Sequence, residues 1–138
     1  MKLEALQGIN SEVRALGAQV VVLTPELERY TRALHKKLNL TFDMLTDLHL
    51  KTAEQFRLVF TLPDYLRDLY KPFGNAPDRF HDEPECRLPI PARYVVDKQG
   101  IIRAADVNAD YTIHPEPSET LKQLRMLTGS LVALNLRA

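Results

Sequence analysis

The chain holds one cysteine, Cys86, among its 138 residues. A single thiol excludes an intrachain disulfide and a cysteine-rich zinc site, and it suits a reducing, cytoplasmic setting. Net charge is missing too, because 18 basic residues balance 18 acidic ones. That balance removes any global pull toward nucleic acid or an acidic membrane. Lys36-Lys37 is too small a basic patch to alter this. No uninterrupted apolar run approaches the roughly 20 residues of a membrane helix. The opening Met1-Lys2-Leu3-Glu4-Ala5-Leu6 places base and acid too early for a signal peptide. No Gly-x-Gly-x-x-Gly, P-loop or Gly-x-Ser-x-Gly occurs, which argues against dinucleotide enzymes, nucleotide hydrolases and α/β-hydrolases. His35, His49, His81 and His114 are scattered, and none pairs with another at metal-ligand spacing. His81 with Asp78 and Asp82 is a weak loop cluster. No metal site is expected, and no repeat or low-complexity segment occurs.

What remains reads as one domain, long enough to bury roughly two thirds of its unfolded surface without a covalent staple. Leu3, Leu6, Ile9, Val13 and Leu16 recur at three- and four-residue steps, the apolar stripe of a helix that Gly17 ends. Gln19 to Leu23 is a continuous apolar run, as expected of a strand buried on both faces. Thr24-Pro25 then opens a helix, with Thr24 as cap and Pro25 at the first position. Glu26 and Glu28 start that helix and Lys36 and Lys37 end it, in accord with the helix dipole. Its stripe is Leu27, Tyr30, Leu34 and Leu38. Thr41 to Leu45 reads as a second strand, His49 to Phe56 as a helix, and Leu58 to Leu62 as a short apolar segment. Pro63 opens a further helix through Leu66, Leu69 and Tyr70. The stretch from Phe73 to Arg87 lacks periodicity and reads as a surface loop.

The segment from Leu88 to Arg103 is the most informative. Tyr94-Val95-Val96 is aromatic and β-branched, as a packed strand requires. Asp97-Lys98-Gln99-Gly100 supplies turn chemistry, and Ile101-Ile102-Arg103-Ala104 restarts an apolar strand. A hairpin follows, entered through Pro91, which removes a ladder donor. Asp106 to Pro117 reads as a loop. Ser118 caps a last helix whose stripe of Leu121, Leu124, Leu127, Leu131 and Leu134 runs past Gly129 to the chain end. Helices alternating with strands, then a hairpin and a helix, give an α/β fold with a mixed sheet covered on both faces.

These segments in this order resemble the peroxiredoxin-like branch of the thioredoxin fold, the alkyl hydroperoxide reductase and thiol-specific antioxidant family. The matching stretches are Leu3-Glu4-Ala5-Leu6-Gln7 and Leu16-Gly17-Ala18-Gln19-Val20-Val21-Val22-Leu23-Thr24-Pro25. They continue with Leu40-Thr41-Phe42-Asp43-Met44-Leu45-Thr46-Asp47 and Phe56-Arg57-Leu58-Val59-Phe60-Thr61-Leu62-Pro63. The hairpin and Val107-Asn108-Ala109-Asp110-Tyr111-Thr112 complete the set.

The resemblance implies a thioredoxin-like fold, thiol-dependent peroxide reduction, a thioredoxin-like reductant as partner, and no cofactor. Relatives carry a strand and a Trp-Cys-Pro-x-Cys turn just before the helix that opens this chain. The turn seats the attacking sulfur at a helix N-terminus, where free N–H groups favour thiolate. No cysteine precedes Cys86, so the peroxidatic role transfers to no position here. The chain is expected to lack its N-terminal strand or strands, as a truncated product or as a pseudo-enzyme that discarded the motif. That absence is expected to leave Gln19–Leu23 and Arg93–Val96 as apolar edges. They would pair with each other or recruit a second chain, giving a homodimer.

Cys86 becomes a candidate surrogate or resolving thiol, its thiolate opposed by Asp82, Glu83 and Glu85 and weakly favoured by Arg87, or a loop cysteine without a role. Pro91 takes the place of the family's cis-proline beside the active cleft. Arg93 is displaced from the family's thiolate-stabilising arginine, and a solvated strand position is the plainer reading. Thr24 and Pro25 lie at the carboxyl end of a strand, where open α/β sheets place ligands, or simply cap a helix.

Overall fold

The computed structural model describes residues 3–61, 63–66, 87–110, 113, 115–127 and 132–136. Helix α1 spans Leu3–Ala15 and buries Leu3, Leu6, Asn10 and Val13. It stops where Gly17 takes φ 78°, and the Gly17 and Ala18 N–H groups return to Arg14 O and Val13 O at 2.9 and 3.1 Å. That pairing satisfies the last carbonyls of the helix. Strand β1, Gln19–Thr24, follows with alternating burial. Its β-branched run suits a pleated, packed surface. Val20, Val22 and Thr24 are buried on one face, while Val21 and Leu23 are half-buried on the other.

Helix α2 runs Glu28–Lys37, three residues later than the Thr24 cap predicts. Thr24 completes β1 instead, and Leu27 stands at the helix cap in extended backbone. The strand wins because its ladder to β2, Asp43–Thr46, extends through Thr24 opposite Thr46. A 3-10 turn at Leu48–Leu50 leads into α3, Lys51–Gln55. Strand β3, Val59–Thr61, pairs antiparallel with β4, Arg87–Pro89, so Arg87 closes a strand ladder rather than a loop. Residues 64–66 are helical, as expected after Pro63, while Leu69, Tyr70 and 73–86 lie outside the described residues.

The hairpin forms as expected from β5, Ala92–Val96, and β6, Ile102–Val107, with Gly100 at φ 80° in the turn. β6 reaches Val107 because Ala92 pairs opposite it, which extends the strand beyond the expected loop start at Asp106. Helix α4, Pro117–Met126, starts at Pro117 behind Glu116, so Ser118 lies inside it rather than at its cap.

The expected helix through Leu134 does not form. α4 ends at Met126, Leu127 is already extended, and Val132–Leu136 is a strand, β7. Its place explains the difference. The main sheet has five strands in the order β2-β1-β7-β5-β6. β7 runs parallel to β1, with Gln19 opposite Val132, and antiparallel to β5, with Ala92 opposite Leu136. The two apolar edges expected at β1 and β5 are therefore both covered, by this chain itself. They do not pair with each other, and neither is an edge of the sheet. Backbone partners on both sides outweigh the helical spacing of the leucines.

Two cores flank the mixed sheet. One packs α1, β1, α4 and Val95 around Val13, Val22 and Leu124. The other packs Leu50, Ala53 and Leu58 against Ala92 and Tyr94 from the opposite face. Phe56 adds a ring contact with Tyr94, centroids 5.0 Å apart. Each fully buried aliphatic side chain contributes about 1.5–3 kcal/mol. Both faces of the sheet are thus covered, as the alternation of elements predicts. Among the described residues, no helix is long and apolar enough to cross a membrane.

Candidate functional site

One end of the main sheet collects three of the residues singled out above. Thr24 ends β1 and Pro25 follows, both buried. β2 runs parallel to β1 and finishes level with it at Thr46. β5 runs the other way, so its start at Ala92 lies at the same end, opposite Leu136 and Val107. Pro91 immediately precedes it. Thr24-Pro25 and Pro91 therefore stand on either side of β7, two strand spacings or about 10 Å apart.

Backbone bonds lock this end. Thr24 O accepts the Asp47 N–H at 2.8 Å, and Thr24 Oγ1 accepts the Glu26 N–H at 3.2 Å. Thr46 Oγ1 donates to Glu26 O at 3.2 Å. The Asp47 carboxylate is buried and accepts the Thr52 and Ala53 N–H groups at 2.8 and 2.9 Å. Those bonds satisfy free donors at the start of α3. Pro91 O accepts the Asn108 N–H at 3.3 Å.

The expected cis bond at Pro91 is absent, since every described peptide bond is trans. Trans is the lower-energy form of an Xaa-Pro bond by about 0.5–1 kcal/mol. The hairpin ladder and the Asn108 contact are both made with it.

Arg93 also departs from its solvated reading. It is 2% exposed and lies on the same sheet face as Val95, against α4. One terminal nitrogen donates to Thr120 Oγ1, and the other donates to the Asp106 carboxylate and to Gln123 Oε1. Arg93 Nε is buried without a partner. The guanidinium is committed to tying the hairpin to α4, so it does not present its charge to the sheet end. Asp106, Thr120 and Gln123 were not legible as one cluster. Arg93 pairs opposite Asp106 only because the register shifts by one residue between Val95 and Val96, which the turn sequence does not announce.

Tyr94 projects from the other face, and burial pushes its phenol above the ordinary value. It stays neutral at neutral pH and serves as packing. At the far end of the sheet, Asn10, Arg14, Gln19, Thr41 and Asp43 line a polar notch of about 20 Å³, room for one water. Cys86 lies outside the described residues. Among the described residues, no group of three or more His, Cys, Asp or Glu could hold a metal ion.

The sheet end thus holds the buried Thr24 hydroxyl, a carboxylate spent on a helix, and a proline whose neighbouring backbone groups are already paired. Among the described residues it supplies no thiol of its own. The model of the AhpC/TSA family matches residues 1–105. That span is well over half of the chain, and the protein belongs to the AhpC/TSA family. A search of curated proteins finds no match. The family match includes Thr24, Pro25, Cys86, Pro91 and Arg93, and it stops inside β6, before Asp106, α4 and β7.

Proposed function

We propose that this chain is a redoxin-type scaffold for thiol-dependent peroxide reduction that is by itself inactive, or nearly so. The observation that carries the reading is the AhpC/TSA match across β1, Pro91 and the hairpin, in a chain whose one thiol is Cys86. Peroxide reduction needs a thiolate to attack one peroxide oxygen. The oxygen–oxygen bond breaks, a sulfenic acid forms on sulfur, and an alcohol or water leaves with a proton. A second thiol then condenses with the sulfenic acid and releases water, and a thioredoxin-like dithiol reduces the resulting disulfide. Cys86 is the one thiol here able to enter that cycle, and its sequence neighbours Asp82, Glu83 and Glu85 oppose the thiolate while Arg87 favours it weakly.

The test is hydrogen peroxide and alkyl hydroperoxide consumption with dithiothreitol, for the chain and for Cys86→Ser. The expected result is the same slow rate for both. Faster consumption that Cys86→Ser abolishes would overturn the inactive assignment and make Cys86 the working thiol.

A second reading is a non-catalytic, thioredoxin-like interaction module that assembles as a dimer. What favours the non-catalytic part of that reading is β7, a strand without a thiol, at the centre of the sheet.

A further inference from the structure

We propose that the 3-10 turn at Leu48–Leu50 is a latched lid over the second core, held shut by Arg87 and able to open while the main sheet stays intact. The proposal goes beyond the redox reading and does not depend on it. It starts from backbone strain. His49 lies at φ 56° and Leu50 at φ 57°, two consecutive left-handed residues, neither of them glycine. That conformation brings Cβ too close to the following carbonyl oxygen. Strain of this kind persists only where the surroundings enforce it, and it gathers at ligand clamps and switch regions.

Three contacts enforce it here. The Leu50 side chain is 1% exposed and packs in one core with Ala53, Leu58, Ala92 and Tyr94. The Asp47 carboxylate accepts the Thr52 and Ala53 N–H groups just after the turn. Arg87 reaches across from β4, with one terminal nitrogen donating to the Glu54 carboxylate and the other to His49 O at 3.4 Å. The gain from burying one leucine and the cost of two left-handed residues are of similar size, so the turn sits near balance. Arg87 decides that balance. Its latch is a partly exposed ion pair and one long hydrogen bond, contacts weak enough to release. Among the described residues, no strand ladder includes 48–55, so opening leaves the main sheet paired. The relaxed turn lifts Leu50 away from Ala92 and Tyr94, which follow Pro91 at the end of the sheet that Thr24 and Pro25 share. The lid thus governs whether that end is closed or presents apolar surface.

Thiol labelling of full-length chains, all carrying Cys86→Ser, reads the opening directly. A92C places a thiol in the second core with Leu50, and A18C places one in the first core, away from the lid. Each is labelled by a water-soluble aromatic disulfide under native conditions, with and without Arg87→Met, which keeps most of the stem and removes the latch. Arg87→Met should speed labelling of A92C about tenfold. Labelling of A18C should not change. His49→Gly, added to Arg87→Met, should slow A92C again, because glycine removes part of the strain that drives opening.

Unchanged A92C labelling in the Arg87→Met chain overturns the latch. Equal acceleration of A92C and A18C marks global unfolding and overturns the lid. A fast A92C rate that His49→Gly leaves unmoved overturns the strained turn as its drive. Should Arg87→Met fail to fold, Glu54→Gln removes the charge of the latch partner alone, and the same comparisons apply with an acceleration of about threefold. None of these rates depends on peroxide consumption, so failure here is separable from failure of the redox reading.

Discussion

Removing the Asp106 carboxylate should destabilise this protein more than removing the Arg93 guanidinium that it faces. The Arg93 side chain is 3% exposed, whereas that of Asp106 is 42% exposed. Only one member of the pair is truly desolvated. Asp106→Ala leaves a cation enclosed between β5 and α4, with Thr120 and Gln123 as remaining acceptors and Nε still unpartnered. Stripping the partner from a fully buried charge costs about 3–5 kcal/mol. Water reaches the Asp106 side of this pair, which reduces the expected loss to about 2–3 kcal/mol. Arg93→Met keeps most of the stem packing and leaves a carboxylate already in contact with water, for about 1 kcal/mol. For a chain of this size each kcal/mol moves the melting temperature by about 3–4 °C. Asp106→Ala should melt about 6–12 °C below the parent and Arg93→Met about 3–4 °C below it. Thermal and urea unfolding followed by circular dichroism measure both. Equal losses, or a larger loss for Arg93→Met, would refute the claim that Arg93 is the buried member whose charge needs compensation.

Three further predictions concern local devices. Arg57 sits at φ 57° where α3 ends, so Arg57→Gly should raise stability by about 0.5–1 kcal/mol in urea unfolding, and a loss would count against the left-handed cap. Asp47→Ala frees the Thr52 and Ala53 N–H groups inside the fold and should cost about 1–2 kcal/mol, while a neutral result would remove Asp47 as the cap of α3. The Ile101 N–H, with the Arg103 guanidinium and the Gln99 N–H, holds the Asp97 carboxyl below its ordinary value. A lowered value stabilises the fold above the ordinary carboxylate range and loses that contribution as pH falls through the folded value. Asp97→Asn should therefore melt below the parent at pH 7, with the gap closing in acid, and a gap constant with pH would disprove the linkage.

The elements with a clear period were legible. α1 followed from leucines and a valine on one face, and the hairpin followed from β-branched runs around a turn that ends in Gly100. The caps were harder to read. α2 and α3 both end on left-handed residues that are not glycine, Asn39 and Arg57, with the same paired return bonds that Gly17 makes after α1. Nothing in a charged Arg57 announces that role. β7 was misread because Leu127, Leu131 and Leu134 fit a helical stripe, and a short apolar run has no period that distinguishes strand from helix. The slot between β1 and β5 decides, and a slot is a property of the whole sheet. At the candidate site, the meeting of Thr24, Pro25 and Pro91 at one sheet end followed from topology. The burial of Arg93 did not, because its three partners lie on β6 and α4, far along the chain.

Strand β7 also sets the order of events during synthesis. The ribosome delivers a chain at about 5–20 residues per second, and early segments begin to fold while later ones are still inside. β1 emerges long before its neighbour Val132. Until Val132–Leu136 emerges, the backbone groups of β1 and β5 that β7 pairs lack those partners. That interval is when chaperones and neighbouring nascent chains have access to the same slot.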